Sequence, residues 1–406
     1  MILLYIFLFW ILSLILLLTW KLALFKKTWK EPYFSDIPVL IESDDWGPGG
    51  DFHATRLDKL LTTLSQHLDS TNRKAILTAD IVLAVPDTEK IQHNSNGSYS
   101  RISLEHFPEI YASMLSGVKQ GTFVPQLHGM EHLNGNAFAQ LCKQKDSRTE
   151  QARATQNWWD WETLESPLQG HYVNGSTLPT TPISNVEAIQ TIDSASQLFT
   201  QLFKYPTQST VAPCYLWNDE IETAWNNQNI QTIQTAGYRC TGRDNTGKYI
   251  QNPSLIRVGE RNKNDQIYLV RNVMFEPVDG KNTTETAYQE SIAAYKQAQP
   301  ITISTHRYNY TRDEEQCDDS LTGLNNLIDK ITKLPNIRFL SSPELGEIIR
   351  SPEQVIINHF NNTQWKSVNT LTGHKKLSAF LYRLYFRNPK LVLASYITGF
   401  IIPLPG

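Results

Sequence analysis

"IPVLIESDDWG", residues 37–47, opens as an apolar run and closes on two adjacent acids, Asp44 and Asp45. A short apolar run ended by a glycine reads as a strand buried on both faces, the habit of parallel sheets. The acids then need explaining. Two neighbouring carboxylates repel, and burying one is costly unless it is paired or bound to a metal. Either the strand ends in solvent, or a site requires both acids.

Working outward, the same pattern recurs. "ATRLDKLLTTLSQHL" follows, with Leu57, Leu60, Leu61 and Leu64 at helical spacing. "RKAILTADIVLAV" reads as strand, "LEHFPEIYASMLSGVKQG" as a helix ended by glycine, and "TFVPQLH" as the next strand. Later strands are "STVAPC", "YRCTG", "SLIRVG", "IYLVRNVMF", "PITISTH" and "IRFLS"; helices fall between and around them. Strand and helix in alternation from about Ile37 to Arg350 predict a parallel sheet, open or closed into a barrel. In either form functional residues gather at the C-terminal ends of strands. Asp44-Asp45, His128 after "TFVPQL" and His306 after "PITIST" all stand there. Residues 150–182, rich in Trp, Asn and Thr, read as a long loop on that face, and its "NWWDWE" suits either stacking on sugar rings or packing the loop down.

A net charge of −3 and the absence of a basic motif argue against nucleic acid as a partner. The four cysteines, Cys142, Cys214, Cys240 and Cys317, form no CxxC pair and read as isolated thiols. Five Asn-x-Ser/Thr sequons, at Asn96, Asn174, Asn282, Asn309 and Asn361, read as unmodified.

Both ends carry membrane signals. "MILLYIFLFWILSLILLLTW", residues 1–20, holds no charge and is about long enough to cross a bilayer. It lacks the basic start and small-residue cleavage site of a signal peptide, so a single-pass anchor is expected. Residues 21–36 form a basic linker. Lys21, Lys26, Lys27 and Lys30 follow the span and nothing basic precedes it, which places the bulk of the chain in the cytoplasm, with a periplasmic location as the alternative. Residues 351–406 read as a basic amphipathic segment lying on a membrane surface.

"HGMEH" sets His128 and His132 four apart, one face of a helix if it is helical. With Asp45 they make two histidines and one carboxylate, a divalent-metal set with open positions for water and substrate. Asp44 then stays free as general base, and His306 is placed as the general acid for the leaving group.

In this order the residues resemble the polysaccharide deacetylases, carbohydrate esterase family 4, over roughly residues 37–350. "DDWGP" matches that family's Asp-Asp-Gly-Pro with Trp46 interposed, and "HGMEH" its His-Ser/Thr-x-x-His with Gly129 in place of the hydroxyl residue. "VAPCY" matches Arg-x-Pro-aromatic with Val211 in place of the arginine, and "ISTH" matches Leu-x-His with Ser304 in place of Leu. The resemblance implies a distorted (β/α)7-type barrel, Asp44 as base, Asp45, His128 and His132 as metal ligands, and His306 as acid. It implies a divalent metal, zinc most usually, with nickel or cobalt able to serve. Pro213, Tyr215 and Trp217 would lie near the substrate or its oxyanion. The implied reaction removes an N-acetyl or similar acyl group from a sugar, in a polysaccharide or a lipid-linked glycan, next to the membrane. The arginine that steadies the base has no counterpart at Val211. Two other readings stand beside this one. The first is a zinc metallopeptidase using His-x-x-Glu-His, with Glu131 as base. The second is a non-catalytic, membrane-bound glycan-binding or scaffold protein on a degenerate barrel.

Overall fold

The computed structural model describes residues 1–94, 98–155, 160–312, 314–352, 356–357, 364–365, 368–388 and 390–391, without the side chains at 14, 17, 18, 356, 357, 364 and 365. In chain order the principal elements are α1 (Ile2–Trp20), α2 (Leu22–Lys30), β1 (Ile37–Trp46), α3 (Phe52–Ser65), β2 (Leu77–Val82), α4 (Pro108–Gln120), β3 (Phe123–Gly129), α5 (Asn185–Phe203), β4 (Ser209–Thr210), α6 (Asp219–Asn227), β5 (Thr232–Thr235), β6 (Ile267–Val270), β7 (Val273–Met274), α7 (Thr284–Lys296), β8 (Ile301–His306), α8 (Glu314–Thr332), β9 (Ile337–Phe339), α9 (Ser342–Arg350) and α10 (Gly373–Arg387).

The nine strands form one sheet in the order β6-β5-β4-β3-β2-β1-β8-β7, with β9 beside the foot of β1. Every pairing in it is parallel. This is why Val39, Leu40 and Ile41 are buried together rather than in alternation: helices cover one face and the interior fills the other. The sheet curls into an incomplete barrel. Its two ends, β6 and β7, follow each other in the chain with only Arg271 and Asn272 between them. The edges therefore approach at that seam, where Asn272 exchanges backbone and side-chain hydrogen bonds with Thr302 of β8.

The helices follow their sequence pattern. Leu57, Leu60, Leu61 and Leu64 of α3 are all buried. Gly121 ends α4 in the left-handed region (φ 73°), which glycine enters without a Cβ clash. None of the four cysteines is in a disulfide.

At the end of the sheet where β1 begins, α2 and α10 pack together around Glu31. This carboxylate is buried and receives Arg257 at 2.7 Å, Arg383 at 2.9 Å and Arg387 at 2.7 Å. The fully buried Arg383 also lies 3.7 Å from the centre of the Tyr33 ring, and Phe380 meets the rings of Phe25 and Trp29. The face of α10 carrying Phe380, Arg383 and Leu384 is thus turned to protein, while Leu377 near its start and Phe386 near its end are exposed. Residues 392–406 of the segment expected at the membrane lie outside the described residues.

Ile2–Trp20 forms one 19-residue helix whose apolar side chains are largely exposed. Among the described residues, however, no helix is long and apolar enough to cross a membrane, so the structure does not support the expected spanning anchor.

Candidate metal centre

Two adjacent residues of a regular strand point to opposite faces. Asp44 and Asp45 nevertheless line one pocket of about 260 Å³ at the C-terminal end of the sheet. The backbone explains this. The β1–β2 register shifts between Ser43 and Trp46, and Asp45 takes a left-handed conformation (φ 70°) that costs a non-glycine residue about 1 kcal/mol. The interposed Trp46 is fully buried and donates to Ser43 Oγ at 2.9 Å. Gly47 passes so close to β2 that a Cβ would lie 2.2 Å from the Val82 carbonyl oxygen. "DDWG" is a built bulge, not a strand fraying into solvent.

Neighbouring strands bring the partners. The β1–β8 register sets His306 directly beside Asp44. His128 arrives at the end of β3, and His132 follows in a bend. "HGMEH" is not helical: the parallel ladder holds His128 in strand, as its place after "TFVPQL" implies, and the turn returns His132 to put the two ring centres 5.1 Å apart.

The donors fit a metal ion. Asp45 Oδ1 lies 3.4 Å from His128 Nε2 and 3.2 Å from His132 Nε2. A zinc ion with bonds of about 2.0–2.1 Å at tetrahedral angles separates neighbouring ligand atoms by about 3.3 Å. Asp45 Oδ1 is buried without a hydrogen bond, which a cation would relieve. His128 Nδ1 pairs with the Val211 carbonyl at 3.0 Å, leaving Nε2 to ligate. Burial pulls His132 down to about 4, so its imidazole is neutral as a ligand must be. Burial alone would raise Asp45, but the two histidines outweigh it and hold its carboxylate below the usual range.

Two groups beside this set carry opposite protonation. Burial opposes ionisation of Asp44, yet the Arg271 guanidinium, forked onto both its oxygens at 2.6 and 2.7 Å, holds it well below the usual carboxylate range. His306 is the reverse. Burial disfavours its charge, but Glu276, 2.6 Å from Nδ1, and the acids Asp44 and Asp45 push it up to about 10. Its Nε2 faces Asp44 Oδ2 at 3.8 Å, and Tyr308 stacks on the ring.

The other expected residues divide. Tyr215 lines the pocket, but its backbone N–H already donates to the Ala212 carbonyl, and its hydroxyl accepts from Arg271 at 3.2 Å. Pro213 is buried in the turn that sets Cys214 and Tyr215 at positive φ and does not line the pocket. Trp217 is buried in the core with its indole on Glu222, away from the pocket. Glu131 is paired to Arg101 at 2.6 Å and lines a different cavity, so it is not placed as a base toward the histidines. The buried Asn309 amide donates to Glu276, which leaves no room for a glycan there.

Arg271, Glu276 and Glu162 escaped the sequence reading. The signal for Arg271 was a single arginine inside the apolar "IYLVRNVMF", since a charge in a buried strand demands partners. Glu162 sits in the long loop with Trp161, which packs parallel to His132 at 6.4 Å and beneath the Arg307 guanidinium at 4.3 Å. Of "NWWDWE", Trp161 therefore packs the loop down, and Asn157, Trp158 and Trp159 lie outside the described residues.

No family model and no curated protein matches this chain. Solved structures that match this chain include a 4-alpha-glucanotransferase from Thermococcus litoralis (10% identity, TM-score 0.39, 76% of this chain and 40% of that one). They include the Xyl-CE4 domain of a xylanase from the hindgut metagenome of Trinervitermes trinervoides (10%, 0.37, 82% and 96%). A peptidoglycan N-acetylglucosamine deacetylase is a third (14%, 0.39, 78% and 91%). The chain spans about 40% of the glucanotransferase's length.

Proposed function

We propose that this chain is a metal-dependent hydrolase that removes an N-acetyl or similar acyl group from a sugar. One observation carries the reading: an Asp-His-His ligand set stands beside one group kept ionised, Asp44, and one kept protonated, His306. That is the division of labour amide hydrolysis needs.

Asp45, His128 and His132 would hold the metal, which when bound polarises the acyl carbonyl and acidifies water. Asp44 accepts a proton from the water whose oxygen bonds to the acyl carbon. His306 gives its Nε2 proton to the sugar nitrogen as the C–N bond breaks, leaving acetate and a free amine. Glu276 on Nδ1 keeps that imidazole charged and oriented. Zinc suits the three N and O donors best, and nickel or cobalt are the alternatives.

The exposed apolar row of α1 would lie on a membrane surface, with Lys21, Lys26, Lys27 and Lys30 beside its headgroups. The pocket opens at Asp44 and Asp45, about 23 Å of strand from Ile37, where α2 packs against the start of the sheet. A polysaccharide or an extended lipid-linked glycan suits that reach better than a sugar next to its lipid.

The test is acetate release from N-acetylated oligosaccharides by the zinc-loaded full chain, with Asp44→Asn beside it. Turnover that Asp44→Asn loses while keeping its zinc supports the reading. Full turnover in Asp44→Asn removes Asp44 as the base, and cleavage of peptides in place of acetate release rejects the carbohydrate substrate.

A further inference from the structure

The position expected to steady the base, Val211, is apolar and fully buried, and only its carbonyl serves the site, through His128. An ionised aspartate inside a barrel still needs a cation. It comes from the seam of the sheet. Arg271 follows β6 directly, its backbone N–H bonds to Thr235 of β5, and its fully buried side chain turns inward.

All five N–H donors of that guanidinium are used. Nε donates to Glu42 at 2.6 Å, Nη1 to Asp44 at 2.7 Å and to the Tyr215 hydroxyl at 3.2 Å, and Nη2 to Asp44 at 2.6 Å and to Asp80 at 3.1 Å. Glu42 is fixed in turn by Ser342 Oγ at 2.6 Å, and Asp80 by Gln234 Nε2 at 3.0 Å. A planar cation whose every donor is anchored cannot pivot, so the Asp44 carboxylate it grips in a fork cannot pivot either.

Resting on the deacetylase reading, we infer that Arg271 is the positioning residue for the base. From the β6–β7 seam it supplies the hold that the Val211 position cannot. Three carboxylates share this one cation, and the charge balances more closely if one of them is protonated. Asp80 is that one: burial and the charge on Asp44 push it well above the usual range.

A lysine carries the same charge but cannot fork, so Arg271→Lys separates positioning from charge. The full chain, zinc-loaded, is compared as wild type and as Arg271→Lys on N-acetylated oligosaccharides. Zinc content and thermal unfolding are recorded for both. Misplacing a reacting group by about 1 Å costs about 100-fold in rate. The expected result is kcat lowered about 100-fold, KM within about threefold, and one zinc per folded chain retained. A kcat within threefold of wild type, or one that falls only in proportion to the folded, zinc-loaded fraction, overturns the inference. Lack of wild-type turnover would reject the deacetylase reading instead. Crystal structures of the zinc-loaded pair then decide the positioning role. A rotated Asp44 carboxylate in Arg271→Lys supports it, and an unmoved one overturns it.

Discussion

Replacing Glu276 by glutamine tests the acid half of the site without touching a metal ligand. The Glu276 carboxylate lies 2.6 Å from His306 Nδ1, and the amide keeps its size while removing its charge. Two unit charges about 4 Å apart attract by about 4 kcal/mol at an effective dielectric of 20. Since 1.36 kcal/mol is one pKa unit, that is about three units. The rise of His306 from 6.5 to about 10 is of this size, with burial opposing it and Asp44 and Asp45 adding to it. The Glu276→Gln variant should therefore carry the alkaline limb of the kcat profile two to three units lower than wild type. Any effect of the metal on His306 is common to both proteins and cancels in the difference. The assay is acetate release from pH 5 to 10 at saturating substrate. A second consequence has a defined sign. A histidine with a raised folded pKa stabilises the fold fully below about pH 6.5 and loses that contribution as pH rises through about 10. Metal-free wild type should then lose its stability advantage over Glu276→Gln across that window. An alkaline limb that stays in place while kcat falls uniformly would refute the assignment of His306 as an acid set by Glu276.

Three further outcomes are expected. His128→Ala combined with His132→Ala should abolish stoichiometric zinc in an otherwise folded chain, read by metal analysis after gel filtration; retained zinc would mean the ion sits elsewhere. Asp80 binds a proton in the folded chain that the unfolded chain releases above about pH 4, so stability falls with rising pH by about 1.4 kcal/mol per unit until Asp80 ionises. Asp80→Asn lacks that slope, and urea curves from pH 5 to 8 should diverge in its favour; parallel curves would show Asp80 already ionised. Glu31→Gln strips the charge that neutralises the buried Arg383, a loss of about 3–5 kcal/mol at a buried pair, and should expose α10 to limited proteolysis; an unchanged melting temperature would contradict the clamp.

Local features of the chain were enough for much of this. Apolar runs ended by acids or histidines mark strand ends, and leucines at helical spacing mark the covering helices, because periodicity is written in adjacent residues. The residue types of the centre, Asp44, Asp45, His128, His132 and His306, were legible for the same reason: each stands at the end of a recognisable run. What joins them was not. Arg271 lies 227 positions from the carboxylate it holds, and Glu276 lies 30 from its imidazole, so only the order and curl of the strands select them as partners. The pocket needs both acids on one side, and the bulge at Asp45 that achieves this is a backbone choice settled against β2, not a property of the two letters. The histidine pair looked helical by spacing and is held in strand and bend by the parallel ladder. Likewise the arginines of the last helix read as surface charge, and one of them became core only because Glu31 was buried opposite it. Sequence alone determined which groups are available; tertiary structure decided which of them meet, because pairing across a sheet depends on strand order and register, which no local pattern encodes.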